Sequence, residues 1–104
     1  MNFGDFDFLS GDIHYQFDAP KEDMLLVEYP EEHLLSVGWY GEEKGFIIHL
    51  VRNGNWVIPL AEYIAKSKED LLVLLPEAIL KIEEESKRNK AYQGALWKTE
   101  IFKI

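Results

Sequence analysis

Apolar and polar residues alternate through the first half of the chain. Ile13, Tyr15 and Phe17 are separated by His14, Gln16 and Asp18, the period of a strand that turns one face to a core. Ala19-Pro20-Lys21-Glu22-Asp23 breaks the pattern with a proline and charges, a turn by composition. Met24 to Tyr29 predicts a second strand, closed by Pro30 and the acidic pair Glu31-Glu32. His33 to Tyr40 predicts a third, with Leu35, Val37 and Trp39 on one face and Leu34, Ser36, Gly38 and Tyr40 on the other. A charged, glycine-flanked loop, Gly41 to Gly45, leads to a fourth strand, Phe46 to Arg52. Apolar residues on both faces of that segment place it centrally in a sheet.

Asn53-Gly54 is the clearest local signal. Both central positions of a two-residue type I′ turn need positive φ, which Gly adopts freely and Asn at little cost. A fifth strand from Asn55 to about Ala65 would pair back, with Pro59 forcing an edge or a bulge.

From Ser67 the period changes to that of a helix. Ser67 is a capping hydroxyl and Glu69 and Asp70 oppose the positive end of the dipole. Leu71, Leu75, Ala78, Ile79 and Ile82 form a stripe, widened by Leu72 and Leu74. Pro76 interrupts the backbone ladder, so a kink near Leu72 or a break with a second helix is expected. Glu83-Glu84-Glu85 predicts a solvated helix face, supported by the i to i+4 relations Glu83 to Lys87 and Glu84 to Arg88. Gly94 is a natural stop, and Leu96 to Ile104 resembles a last strand. The whole predicts one α+β domain over residues 1–104, an antiparallel sheet of about five to six strands with one long, Pro-kinked helix on one face.

Composition supports a core and narrows the chemistry. With 104 residues, 47% of them hydrophobic, the chain suits a single domain. It has no cysteine, which excludes disulfides and thiolate metal sites and fits a reducing cytoplasm. Met1 to Ser10 lacks the basic and apolar blocks of a signal peptide, and no stretch approaches the roughly 18 apolar residues of a membrane span. A cytoplasmic monomer is expected.

Charge is sorted along the sequence. Residues 1–45 hold eleven carboxylates against Lys21 and Lys44, a net −9, whereas residues 46–104 carry +1. A one-signed segment of this kind attracts basic partners and repels nucleic acid and anionic membrane.

Catalytic patterns are missing. His14, His33 and His49 are not spaced as a metal pair, no serine sits in a nucleophile elbow, and the glycines form no phosphate loop. No cofactor, metal or catalytic residue is therefore predicted. The contact candidates are Asp5, Phe6, Asp7, Asp12, Tyr40, Glu42 and Glu43. In Asp5-Phe6-Asp7-Phe8, aromatics beside carboxylates suit a basic partner with an apolar pocket. Alternatively, Phe6 and Phe8 tuck into the core as an edge strand while the aspartates face water. Leu71 to Leu75 is apolar nearly all the way round, which implies deep burial or a surface covered by a partner.

Leu35-Ser36-Val37-Gly38-Trp39-Tyr40, the acidic loop ending at Gly45, Phe46 to Val51, and Asn55-Trp56 with Pro59-Leu60 together resemble small bacterial immunity proteins of contact-dependent inhibition and related polymorphic toxin systems. The turn Arg52-Asn53-Gly54-Asn55 departs from that pattern, in which acids precede the Trp. The resemblance implies a cytoplasmic inhibitor that binds the C-terminal domain of a cognate toxin, often a nuclease, and blocks its basic cleft without touching nucleic acid itself. A nuclease must hold phosphates with cations, so an acidic inhibitor is what electrostatics selects. The other readings are an acidic adaptor or regulatory module unrelated to toxins and, less well supported, a small enzyme using carboxylates.

Overall fold

A computed structural model describes residues 3–17 and 20–103, with side chains through Lys87. Five strands, β1 (Asp12–Gln16), β2 (Leu25–Tyr29), β3 (His33–Trp39), β4 (Phe46–Arg52) and β5 (Ala61–Ala65), precede one helix, α1 (Lys68–Lys103). The strands pair in sequence order as an antiparallel meander. The α+β plan read from the sequence is thus the one observed.

Alternation decides the two faces. Leu35 lies opposite Val27 on β2 and Leu50 on β4, and Val37 opposite Leu25 and Ile48. These side chains are buried and meet Leu71, Leu75, Ala78, Ile79 and Ile82 of α1 in one core. A helix about 10 Å across cannot cover five strands that span roughly 19 Å. The N-terminal segment supplies the rest: Phe3, in a single 3₁₀ turn (Phe3–Asp5), and Phe8 are buried in the same core, and Phe6 packs partly against it. The Phe residues therefore turn inward, but from a turn and not from an edge strand.

One ion clasps that segment to the helix. Ser10 donates both its N–H (3.1 Å) and its Oγ–H (2.5 Å) to Glu83 Oε2, while Lys87 Nζ lies 3.2 Å from Oε1. Glu83 is buried, so the expected solvated Glu83-Glu84-Glu85 face is corrected at its first member. Its wheel position next to Ile79 and Ile82 decides this, because it brings the carboxylate against Ser10. Burial opposes its ionisation, but the Ser10 bonds and Lys87 outweigh that and hold its carboxyl below the ordinary value. Arg88, the expected partner of Glu84, has its side chain outside the described residues.

Helix α1 begins as predicted, with Ser67 Oγ accepting the Asp70 N–H at 3.1 Å. It then runs unbroken through Pro76. The bond that Pro76 cannot make would go to the Leu72 carbonyl, and both residues are exposed, where water can replace it. The strand expected over Leu96 to Ile104 is also corrected: helix continues past Gly94 to Lys103, and Ile104 lies outside the described residues. Once nucleated, a helix gains one bond per added residue, and a single Gly costs only about 1 kcal/mol.

The Asn-Gly turn forms, with φ of 54° at Asn53 and 69° at Gly54, and Asn55 N–H closes it on the Arg52 carbonyl at 3.1 Å. The fifth strand nevertheless starts at Ala61, not Asn55. Asn55 Oδ1 accepts the Ile58 N–H at 3.1 Å, a local turn, and Pro59 cannot donate to a ladder. Pairing resumes when Leu60 N–H reaches the Leu50 carbonyl at 2.7 Å.

Gly38 has a steric reason. A Cβ there would lie 2.1 Å from the Glu22 backbone oxygen, because the segment before β2 is held against β3 on both sides of Gly38, by Trp39 N–H to the Lys21 carbonyl and Met24 N–H to the Val37 carbonyl. Gly38→Ala should cost about 1–3 kcal/mol in urea unfolding; an unchanged midpoint would refute the contact. For Glu83, a folded pKa below the unfolded one means its stabilisation is present above 4.5 and fades as pH falls through the folded value. Glu83→Gln should therefore destabilise at neutral pH and progressively less in acid, as measured by denaturant unfolding across pH.

Candidate functional site

Among the described residues, no helix or strand layer covers the face of the sheet away from α1. Register assigns to it Leu26 and Glu28 of β2, Leu34 and Ser36 of β3, Ile47, His49 and Val51 of β4, and Glu62 and Ile64 of β5. A bulge in β1 between Ile13 and Tyr15 shifts that strand by one residue, so Tyr15 pairs with Leu26 and joins the same face. Without the bulge the alternation would have kept Tyr15 with Ile13 on the core side.

Aromatic rings line this surface. His49 is edge-on to Tyr40 and to Trp56, each at 6.3 Å between centroids. Tyr15 and Phe17 lie 5.7 Å apart, and Lys21 Nζ sits 3.3 Å above the Phe17 ring. Tyr15, Phe17, Lys21, Glu22 and Asp23 border a shallow depression. Beside the rings the β4–β5 loop presents apolar groups to solvent: Val57 is 90% and Ile58 74% exposed, and Trp56, Leu60 and Ile64 are also exposed. The apolar run Trp56 to Leu60, which rejoins the ladder only at Leu60, is unfavourable in water unless something covers it.

Carboxylates surround the rings. Glu62 Oε2 bonds His49 Nε2 at 3.0 Å and Glu28 Oε1 bonds His14 Nε2 at 2.8 Å. The strands carry a single lysine or arginine, Arg52, and its register opposite His33 places it toward the other face. Two phenols report the resulting field. Tyr40 is pushed above its ordinary value first by burial and then by Glu22, Asp23 and Glu62, and Tyr15 by burial and then Asp23. His33 is not part of this surface: it is buried, and its Nδ1–H donates to the Pro30 carbonyl at 2.9 Å.

No family model, curated protein or solved structure matches the chain.

The contact residues proposed from the sequence fall into two groups. Tyr40 is on the open face, and Asp12 shares it at the far end of β1, opposite Glu28. Glu42 and Glu43 are exposed in the hairpin loop just after Tyr40, where Lys66 Nζ donates to the Glu43 carbonyl. Asp5, Phe6 and Asp7 lie elsewhere, against α1. Sequence reasoning missed Tyr15, His49, Trp56, Glu62 and Ile64. Two signals point to them: His49 is the one polar residue inside a strand otherwise apolar up to Arg52, and the run Trp56 to Leu60 contains a proline that bars it from the ladder.

Among the described residues no group of three or more His, Cys, Asp or Glu could hold a metal ion, and no helix is long and apolar enough to cross a membrane. The open face is suited to protein contact: rings and aliphatics to exclude water, carboxylates to select cations. Removing the field should be visible directly. In a Glu22→Gln, Asp23→Asn, Glu62→Gln variant the Tyr40 phenol should titrate lower than in the parent yet still above the ordinary range, because burial remains. NMR titration of the labelled tyrosine checks this, and an unchanged value would place the carboxylates out of reach.

Proposed function

We propose that the chain is an immunity protein, a cytoplasmic stoichiometric inhibitor that docks its open sheet face on the basic cleft of a cognate toxin domain, a nuclease in the best-supported case. The observation that carries this reading is the open face itself, where Tyr15, Tyr40, Trp56 and Ile64 stand among Glu22, Asp23, Glu28 and Glu62. A cleft that holds phosphates must present lysine and arginine, and carboxylates at matching positions can replace the phosphates there. Protection also needs slow release, which charge alone does not supply. Buried Trp and Tyr anchors do, and a nanomolar complex corresponds to about −12 kcal/mol.

The resemblance of residues 33–60 to immunity proteins covers the same region, since Trp39-Tyr40, the acidic loop and Asn55-Trp56 frame β4. One copy would engage one toxin domain. The acidic-adaptor reading uses the same surface and differs in its consequence, binding without neutralisation.

The decisive experiment mixes the purified protein with the C-terminal domain of the toxin encoded beside it. A 1:1 complex by light scattering and loss of nuclease activity are expected. Trp56→Ala with Glu62→Lys should weaken the complex at least about tenfold, a loss of about 1.4 kcal/mol, and affinity should fall as salt rises. No complex, an active toxin, or indifference to both substitutions would overturn the proposal; binding with full toxin activity would favour the adaptor.

A further inference from the structure

A second apolar surface lies on the other side of the molecule. Leu72, Val73, Pro76 and Leu80 follow one another on the outward side of α1 at helical spacing, with Val73 72% and Leu80 62% exposed. Phe6 and Leu9 of the N-terminal segment stand beside Pro76, Ile79 and Leu80 and complete a groove. Leu9 holds a left-handed backbone, φ 58°, with its N–H donated to Asp7 Oδ1 at 2.9 Å, and its side chain stays exposed. A large apolar residue rarely adopts that conformation.

The border of the groove is acidic. Asp5 and Asp7 line one wall. On the helix, Glu77 follows Val73 by four residues and Glu84 follows Leu80 by four, so each exposed carboxylate sits one turn further along the same side. The described cations nearby are engaged: Lys81 pairs with Glu85 at 3.3 Å and Lys87 with Glu83 at 3.2 Å. A second copy of the chain would bring like charges together over the groove, which costs energy at every such contact. Complementarity selects a cationic partner.

We propose that this groove receives an amphipathic helical segment of a partner protein, with apolar residues at i, i+3 or i+4, and i+7 and lysine or arginine at its flanks. The exposed stripe from Leu72 to Leu80 is about 12 Å long, two helical turns, which such a segment spans with its anchors. Phe6 and Leu9 form the floor and end of the slot, and Asp5, Asp7, Glu77 and Glu84 receive the cations. The site is independent of the open sheet face and stands or falls apart from it.

The test uses the full chain and a fluorescent model peptide of about 14 residues, Leu at the anchor positions and Lys elsewhere. A control peptide of identical composition spreads its leucines around the helix. Saturable binding of the first peptide and at least about tenfold weaker binding of the control are expected by anisotropy. Val73→Lys with Leu80→Lys should lower affinity at least tenfold while leaving the thermal unfolding midpoint in place, since both side chains are exposed. Ile64→Lys on the sheet face should leave the peptide affinity unchanged. Equal binding of the two peptides, indifference to the Val73 and Leu80 changes, or an equal loss with Ile64→Lys would each overturn the proposal. So would a dimer in sedimentation that these two changes dissolve, because the occupant would then be a second copy.

Discussion

One helix cannot cover both faces of a sheet, and the described residues form one α-helix. Burial of Leu25, Val27, Leu35, Val37, Ile48 and Leu50 against α1 commits one side of the strands to the core. The period of two then turns the other side away from that core: Ile47 and Val51 on it are still buried, but its rings and carboxylates are left to water or to a partner. The composition of that side is therefore free of the demands of folding to a degree the core is not. It carries rings, carboxylates and two histidine–glutamate pairs where a purely solvated sheet would suffice.

The same shortage of helix explains the N-terminal segment. Phe3 and Phe8 complete a core that α1 leaves open near β1 and β2, and Glu83 ties them down through Ser10. An ion held in this way is stable only because each carboxylate oxygen finds a donor, and Ser10 and Lys87 provide them. Tyr29 packs in the same region with its hydroxyl unpaired, and burial, with Glu83 and Asp7, keeps that phenol neutral far above physiological pH.

Strand positions were legible because alternation and turn chemistry agree. Phe46 to Arg52 reads as a central strand and lies inside the sheet between β3 and β5, and Asn53-Gly54 reads as a type I′ turn and has both positive φ angles. What failed was decided by bonds that the alternation does not register, one of them distant and the others local. Glu83 reads as solvated until Ser10, 73 residues earlier, is placed beside it. Asn55 to Leu60 reads as strand because its residues are apolar, yet a local bond from Asn55 and the ring of Pro59 withdraw it. Leu96 to Ile104 favours a strand by composition, but an established helix continues at low cost. On the candidate surface, Tyr40 and Asp12 were accessible to sequence reasoning, whereas Tyr15 depended on a bulge that no pattern announces.

The meander also sets an order of assembly. Every strand pairs with its neighbour in sequence, so the sheet closes through short loops, each entropically inexpensive and quick to form. Fastening of the amino-terminal aromatics must wait for the helix turn that contains Glu83, which is made after all five strands. Until that moment Phe3 and Phe8 are uncovered, so the interval between completing β5 and completing α1 is the period of greatest aggregation hazard, and the many carboxylates of the first half keep neighbouring nascent chains apart while it lasts.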